Sequence, residues 1–204
     1  MAVRANLIVG AIGAVLALGS GSIIAVNWES LVGLETWEAR FEARDVHLPE
    51  RAGTLAAGGT RNEVHDVATA NVTHVDLDVT WREPALNAPE VTVRLLDPSR
   101  RVRAEQSHTG GSTGIHLRAI IIETGDVPTG SQTYRVRNDP QDLHARTAFE
   151  TRWPTHDESR GNWTIEIRST APDNPAPGGS ITYNVRVEYS YYTGSFARLP
   201  EPGR

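Results

Sequence analysis

The side chains best suited to bind a small ligand are carboxylates that lie beside predicted strands and turns. Those carboxylates are Asp76, Asp78, Asp97 and Asp173. Carboxylate oxygens are the ligands that Ca²⁺ prefers in proteins. Their spacing matches no calcium-binding loop, and turn carboxylates are usually solvated. Calcium is therefore the one metal that the sequence suggests, and we expect no other cofactor.

Residues for covalent or metal catalysis do not occur in a productive pattern. The seven histidines are scattered and form no H-x-x-x-H pair, which would place two zinc ligands on one helix face. No G-x-S-x-G elbow is present, and the absence of lysine and cysteine removes a P-loop and a thiol nucleophile. His74 and Asp76 lie two apart, as surface residues of a strand often do. The sequence predicts no catalytic residue and no enzymatic activity.

The chain begins with an apolar run long enough to cross a membrane. Twenty uncharged residues extend from Leu7 to Val26, and about 20 residues span a hydrocarbon core as a helix. Arg4 precedes the run and Glu29 follows it, which places the N-terminus in the cytoplasm and the rest outside. The sequence predicts a single-pass protein of the cell membrane. The alternative is a signal peptide cleaved near Ser20-Gly21-Ser22, which would leave a secreted domain.

A ridge of small residues on this predicted helix is suited to close helix packing. Gly13, Ala17 and Gly21 lie four apart and share one helical face. The competing interpretation is that glycine and alanine are simply frequent in such segments. The net charge of −5 gives no reason to expect nucleic acid as a partner. We expect the partners to be other membrane or surface proteins, or a second copy of this chain.

Beyond the apolar run, the residue pattern is typical of β-strands. We divide the chain into an anchor or signal helix at 1–27, a stalk and first strand at 28–60, and a β-sandwich at 61–204. In VDLDVTW, from Val75 to Trp81, apolar and polar residues alternate, which predicts a strand with one buried face. The strongest alternation is in ITYNVRVEYSYY, where the odd positions from Ile181 to Tyr191 share one face opposite Tyr192.

Turn residues separate these runs and leave little room for a long helix. The run VTVRLLD ends at Asp97-Pro98-Ser99-Arg100, which predicts a turn that closes a hairpin. The glycine pair in Arg51–Thr60 predicts another turn. We expect seven or eight strands in an all-β, antiparallel, jelly-roll-like β-sandwich.

Three segments resemble the β-sandwich modules of the proprotein convertase P-domain and of the bacterial pre-peptidase C-terminal type. They are Val75–Trp81, Val91–Arg101 and Arg160–Pro172. The chain departs from that pattern at Ser99, where such a turn usually carries glycine, and in a long insert at Asp126–Ser159. The resemblance implies an accessory or structural role. The apolar N-terminus followed by an all-β domain is also similar to surface proteins and filament subunits of archaea and bacteria.

Two further features concern the surface of the domain. Asn71 and Asn162 each begin an N-x-T sequon, which predicts glycosylation of an exported domain. The insert contains Phe149 and Trp153 in its longest irregular stretch, His144–Asn162. We predict that these two aromatic residues belong to a contact loop, and the alternative is that Trp153 caps an open end of the sandwich.

Taken together, these features predict a non-enzymatic, membrane-anchored, extracytoplasmic β-sandwich. We expect it to act as an accessory or structural subunit of a cell-surface assembly through protein–protein contacts. The first alternative is a carbohydrate-binding or calcium-dependent adhesion module, with Trp153 and Tyr192 as exposed aromatic residues. The second alternative is a filament subunit in which the segment Trp28–Ala43 is donated as a strand to a neighbour.

Overall fold

The computed structural model describes residues 33–82, 90–109, 113–137, 141–170 and 180–200. These residues form ten β-strands and one α-helix, so the all-β prediction is confirmed. The strands are β1 (Leu34–His47), β2 (Arg51–Ala56), β3 (Thr60–Val67), β4 (Val72–Arg82), β5 (Glu90–Leu96), β6 (Val102–Thr109), β7 (Thr113–Ile120), β8 (Gly130–Arg137), β9 (Gly161–Ser169) and β10 (Ser180–Arg198). The helix α1 (Leu143–Arg152) lies between β8 and β9.

The predicted anchor at 1–27, with its packing face of Gly13, Ala17 and Gly21, lies outside the described residues. Within the ranges that the structure describes, none of the helices has the length and apolar character needed to cross a membrane.

The strands are arranged in two antiparallel sheets. One sheet has the order β7-β4-β10-β1-β8, and β2 also pairs with β10. The other sheet has the order β3-β9-β5-β6. The hairpin between β5 and β6 is confirmed, because Arg100 donates its N–H to the carbonyl of Asp97 at 2.8 Å and the two strands pair.

The described chain divides into two compact units. The larger unit contains 40–82, 90–109, 113–130, 153–170 and 180–195, and the smaller contains 33–39, 131–137, 141–152 and 196–200. In the larger unit, one apolar core draws side chains from both sheets, as in a β-sandwich. Val75, Leu77 and Val79 of β4 and Ile165 and Ile167 of β9 are completely buried in it.

The smaller unit has an aromatic cluster of its own. Phe196 lies 5.7 Å from Trp37 and 5.1 Å from Phe149, measured between ring centroids. The hydroxyl of Tyr134 donates to the carbonyl of Ala145 at 3.3 Å, which joins β8 to α1. These contacts pack α1, which belongs to the insert predicted at Asp126–Ser159, against β8 and Phe196.

The strands β2, β3 and β6 and the helix have no apolar run in the sequence that predicts them, although the predicted hairpin turn implies a strand at the position of β6. The turn predicted at the glycine pair in Arg51–Thr60 is present, with the Gly59 N–H donating to the Ala56 carbonyl at 2.9 Å, but the segment also contains β2 and the start of β3. The stretch His144–Asn162, predicted to be irregular, contains most of α1. In β6 all residues are exposed or half-buried, so this strand has no apolar alternation that a sequence pattern could reveal.

The alternation along β10 is confirmed up to its end, where it changes. Tyr183, Val185 and Val187 are buried. The register then shifts between Ser190, which pairs with His74, and Tyr191, which pairs with Val72, so the extra residue of this β-bulge lies on β4. Beyond this irregularity the burial alternation of β10 changes phase, and Tyr192, predicted opposite the buried face, is only 5% exposed.

Candidate functional site

Cross-strand ion pairs cover the outer face of the six-stranded sheet. Asp76 on β4 and Arg118 on β7 are directly paired residues, and the guanidinium binds the carboxylate through two hydrogen bonds of 2.6 and 2.7 Å. Partial burial would raise the pKa of Asp76, but the hydrogen bonds and charge of Arg118, helped by His74 and His116, hold that pKa below its usual value. Asp76 is therefore a carboxylate that stays ionised, which suits a structural ion pair.

A second row of charges lies beside the first. His116 approaches the Asp78 carboxylate at 2.8 Å on β7 and β4. Farther along the same face, Arg186 of β10 contacts Glu50 at 2.6 Å. Charges of opposite sign that face each other on adjacent strands stabilise a sheet. This arrangement fixes strand register and keeps the face hydrated, and it requires no ligand.

A serine, a histidine and two aspartates meet on this face, but not in the geometry of a catalytic triad. The Nε2 atom of His74 lies 3.2 Å from Ser190 Oγ and 3.4 Å from Asp76 Oδ2, whereas a triad places the acid on the opposite ring nitrogen. That nitrogen, Nδ1, lies 3.1 Å from the hydroxyl of Thr73. Ser190 donates its own proton to Asp45. The group therefore links side chains of β1, β4 and β10.

The proposed calcium ligands are not brought together. Asp76 and Asp78 lie on the outer face of β4, engaged with Arg118 and His116. Asp97 is buried in the β5–β6 turn, where it accepts the Arg101 N–H at 2.9 Å and the Arg103 Nε–H at 2.8 Å. Asp173 lies outside the described residues. Among the residues described, no group of three or more histidine or acidic side chains is arranged to hold a metal ion.

An open groove of about 610 Å³ lies on the outer face near the ends of β4 and β10. Its lining residues are Ala52, Thr80, Trp81, Arg82, Thr182, Tyr183 and Asn184. Sugar-binding sites usually present an aromatic ring to the ligand, but Trp81 and Tyr183 are 4% and 1% exposed. The groove therefore offers hydroxyl, amide and guanidinium groups without an aromatic platform.

Polar side chains are also buried inside the sandwich, on the inner face of β3. Tyr183 of β10 donates a hydrogen bond of 2.6 Å to the Glu63 carboxylate. Glu63 is 8% exposed, and Arg51 and Arg61 lie 3.7 and 3.5 Å from its oxygens. The Tyr183 hydroxyl can pass β2 because the residue opposite, Gly53, has no side chain. Burial, together with the bond to Glu63, raises the pKa of Tyr183 to about 12.

His65 lies beside this pair on the same inner face of β3. It is 3% exposed, and its Nε2 atom has no hydrogen-bond partner among the described residues. Burial lowers the pKa of His65, and the charge of Arg51 lowers it further against the opposing effect of Glu63. The pair of Glu63 and Tyr183 was not predicted from the sequence. The only available signal was the alternation Glu63, His65, Val67, in which two inward positions are polar.

The backbone edge of β3 is open, because β3 is the terminal strand in the described part of its sheet. The hydrogen bond from Ser169 N–H to the Gly59 carbonyl, 3.0 Å long, sets the phase of the β3–β9 ladder. In an antiparallel pair, hydrogen-bonded positions alternate along each strand. The residues whose N–H and C=O groups point to the open edge are therefore Thr60, Asn62, Val64 and Asp66. All four are exposed.

The two sequons lie in different surroundings. Asn162 is exposed on β9. Asn71 has a left-handed backbone with φ of 57°. Its side-chain oxygen accepts the His156 N–H at 2.8 Å, and its own N–H donates to the His156 carbonyl at 2.8 Å. Asn71 thus has a structural role, and Asn162 is the better placed of the two predicted glycosylation sites.

The two aromatic residues of the predicted contact loop are both half-buried. Phe149, on α1, packs on Phe196 in the smaller unit. In the larger unit, Trp153 packs edge-on against Phe41 at 5.1 Å, and Phe41 in turn contacts Tyr192 at 6.3 Å. These packing contacts favour the interpretation of Trp153 as a cap over the sandwich.

No protein-family model and no curated protein matches the chain. Among solved structures, it is similar to the serine protease of Aeromonas sobria in complex with its chaperone (TM-score 0.35, 10% identity, 74% of this chain and 27% of that chain). It is also similar to an arabinose-bound GH51 α-L-arabinofuranosidase (TM-score 0.30, 12% identity, 68% of this chain and 18% of that chain). A third similar structure is the VP2 subviral particle of infectious bursal disease virus (TM-score 0.32, 10% identity, 80% of this chain and 42% of that chain). The chain spans less than half of each of these proteins, and at such TM-scores the likenesses assign no function.

Proposed function

We propose that this chain is a non-enzymatic, membrane-anchored, extracytoplasmic protein. Its β-sandwich acts as an accessory or structural subunit of a cell-surface assembly through protein–protein contacts. The observation that carries this proposal is the open edge of β3, at which four exposed residues direct backbone groups that have no backbone partner among the described residues. Such an edge adds strands from partners. The proposed membrane anchor rests on the apolar run Leu7–Val26. We also propose that the sandwich is jelly-roll-like and resembles the P-domain type of module.

The absence of enzymatic activity is part of the proposal, and two features support it. The Ser190 hydroxyl donates to the Asp45 carboxylate, and Asp76 contacts the same ring nitrogen of His74 that faces Ser190, so the serine–histidine–acid relay that activates a serine nucleophile is not formed. The carboxylates of Asp76 and Asp97 are bound by arginines, which leaves neither free to act as a general base.

The alternative of a carbohydrate-binding or calcium-dependent adhesion module has less support. It requires exposed aromatic residues, whereas Tyr192 is buried and Trp153 packs on Phe41. The filament alternative requires that Trp28–Ala43 be free to leave its own subunit. Residues 34–43 of that segment belong to β1, which lies between β10 and β8 in its sheet.

The experiment is to express the full-length chain with a C-terminal tag and to treat intact cells and lysed cells with protease. We expect the tag to be digested in intact cells, the protein to stay in the membrane after carbonate extraction, and its N-terminus to be uncleaved. A protected tag would overturn the proposed location. Release by carbonate with an N-terminus beginning after Ser22 would replace the anchored protein by the secreted alternative.

Partners should be captured with a photo-cross-linking residue placed at Val64, because the chain contains no lysine for amine-reactive reagents. The matched control is the same residue at Val102, an exposed valine on β6. A subunit role predicts discrete adducts from the Val64 position that the Val102 position does not give. Identical adduct patterns from both positions would contradict a contact at β3.

A further inference from the structure

We propose that the open edge of β3 pairs antiparallel with β3 of a second copy of this chain, with Val64 of the two copies face to face on a two-fold axis. The inference rests on the proposed role in protein–protein contacts and names the partner. The shared residues are 61–67, which make one continuous eight-stranded sheet from two four-stranded sheets.

The backbone supplies the hydrogen bonds for this pairing. Asn62, Val64 and Asp66 direct their N–H and C=O groups away from β9, so all three are available at the edge. With Val64 on the axis, it forms a hydrogen-bonded pair with its own counterpart. Asn62 then faces Asp66 of the second copy on each side of the axis. Both the exposed valine, at 40%, and the unpaired backbone groups become covered.

Side-chain charge selects this register over its neighbours. With Val64 on the axis, Glu63 lies directly opposite His65 of the second copy on the inner face, and non-hydrogen-bonded pairs bring such side chains closest. His65 Nε2 is buried without a hydrogen-bond partner among the described residues. The opposing carboxylate of Glu63 would supply that partner. Moving the axis to Glu63 would oppose two carboxylates, and moving it to Asn62 would leave Val64 and His65 near the end of a shorter overlap.

An inward-facing charge on an edge strand often prevents pairing, because strand addition would bury it. Glu63 differs from that case, since it already accepts the Tyr183 hydroxyl and lies near two arginines inside its own subunit. The pairing adds a histidine opposite a carboxylate that is already desolvated. It therefore costs little further desolvation.

The symmetry of the contact decides the type of assembly. A two-fold contact uses the same surface on both copies and closes on itself. The pairing therefore makes a dimer. A filament would instead need two different surfaces on each subunit.

The test uses the full-length chain in a mild detergent. Because the chain has no native cysteine, any disulfide must form at the introduced residue. Hydrogen-bonded residues on antiparallel strands lie at a Cα separation of about 5.5 Å, which suits a disulfide. Val64→Cys should form a disulfide-linked dimer under mild oxidation about tenfold faster than Val102→Cys, because pairing raises the local concentration of the thiol. A mixture of Asn62→Cys and Asp66→Cys should form a heterodimer faster than either variant links to itself.

Sedimentation equilibrium of the unmodified chain gives the second measurement. We expect a monomer–dimer equilibrium that Val64→Lys abolishes and Val102→Lys leaves unchanged, since only the first places two like charges on the axis. Equal cross-linking rates for the two cysteine variants, or a dimer that survives Val64→Lys, would overturn the inference. Either result leaves the proposed location and subunit role intact, because those are tested by protease access and by capture of other proteins.

Discussion

Tyr183 of β10 donates a hydrogen bond of 2.6 Å to the carboxylate of Glu63 on β3, so one buried polar contact joins the two sheets of the sandwich. Both residues are almost fully buried, with Tyr183 at 1% and Glu63 at 8% exposure. A buried carboxylate must be hydrogen-bonded to remain in such a place. The contact therefore contributes to stability mainly by preventing the loss that an unpaired Glu63 would cause.

Replacement of Tyr183 by phenylalanine should lower the free energy of unfolding by about 1.5 to 3 kcal/mol, because it removes a donor from a buried charged acceptor. Urea denaturation of Tyr183→Phe and of the unmodified chain measures this difference. Tyr191→Phe is the control on the same strand, since Tyr191 is half-exposed, and it should change the free energy by less than about 0.5 kcal/mol. Equal losses in the free energy of unfolding for the two substitutions would show that the hydrogen bond to Glu63 does not stabilise the fold.

The same contact predicts how stability changes at alkaline pH. Burial and the Glu63 bond raise the pKa of Tyr183 from 10.0 to about 12 in the folded chain. The folded state then keeps a proton that the unfolded state loses, so this contribution is complete below pH 10 and is lost as the pH rises towards 12.

Absorbance titration of the five tyrosines measures this effect. We expect one phenol to ionise near pH 12, after the others, and this last step should be missing from Tyr183→Phe. Burial also raises the pKa values of Tyr134 and Tyr192, so the substitution is needed for the assignment. A single transition of all tyrosines near pH 10, in a chain that is still folded by circular dichroism, would contradict the prediction.

The outer-face pair of Asp76 and Arg118 predicts a dependence on acid and salt. Because the folded-state pKa of Asp76 is below its ordinary value of 3.8, its contribution is present above that pH and is lost as the pH falls through the lower value. Asp76→Asn should cost about 0.5 to 1 kcal/mol at pH 7 and low ionic strength. The cost should shrink in high salt.

Denaturant curves of Asp76→Asn at pH 7 and in acid, each with and without added salt, measure this contribution. Asp78→Asn serves as the matched control, because Asp78 is 52% exposed and lacks the two-bond arginine contact. A cost for Asp76→Asn that is the same in acid as at neutral pH would show that packing, and not charge, is responsible.

The strands that could be predicted most clearly from the sequence are those whose inner face is apolar. Val75, Leu77 and Val79 indicated β4 because every second residue is hydrophobic. β3 has the same period, but its inner face carries Glu63 and His65, and a partner such as Tyr183, 120 positions away, is invisible to a local pattern. The interior site and the open edge were therefore missed for one reason: both depend on which strands become neighbours.

The packing of Tyr183 against β2 gives the last prediction. A Cβ atom at Gly53 would lie 2.4 Å from the Tyr183 hydroxyl oxygen, which is closer than real contacts allow. Gly53→Ala must therefore displace the phenol and weaken its bond to Glu63. We expect a loss of about 1 to 3 kcal/mol in the free energy of unfolding. Gly125→Ala is the matched control, because no atom lies within 4 Å of the position that its methyl group would occupy, and it should change the free energy by less than about 0.5 kcal/mol.

A double variant separates displacement of the phenol from general crowding. If Gly53→Ala already breaks the bond between Tyr183 and Glu63, the further change Tyr183→Phe should cost less in this background than in the unmodified chain, since a bond can be lost only once. The absorbance titration should agree, with the late tyrosine step moving from about pH 12 towards 10 in Gly53→Ala. Strictly additive losses, with the late step unmoved, would show that the alanine is accommodated by movement of β2 and that the hydrogen bond survives.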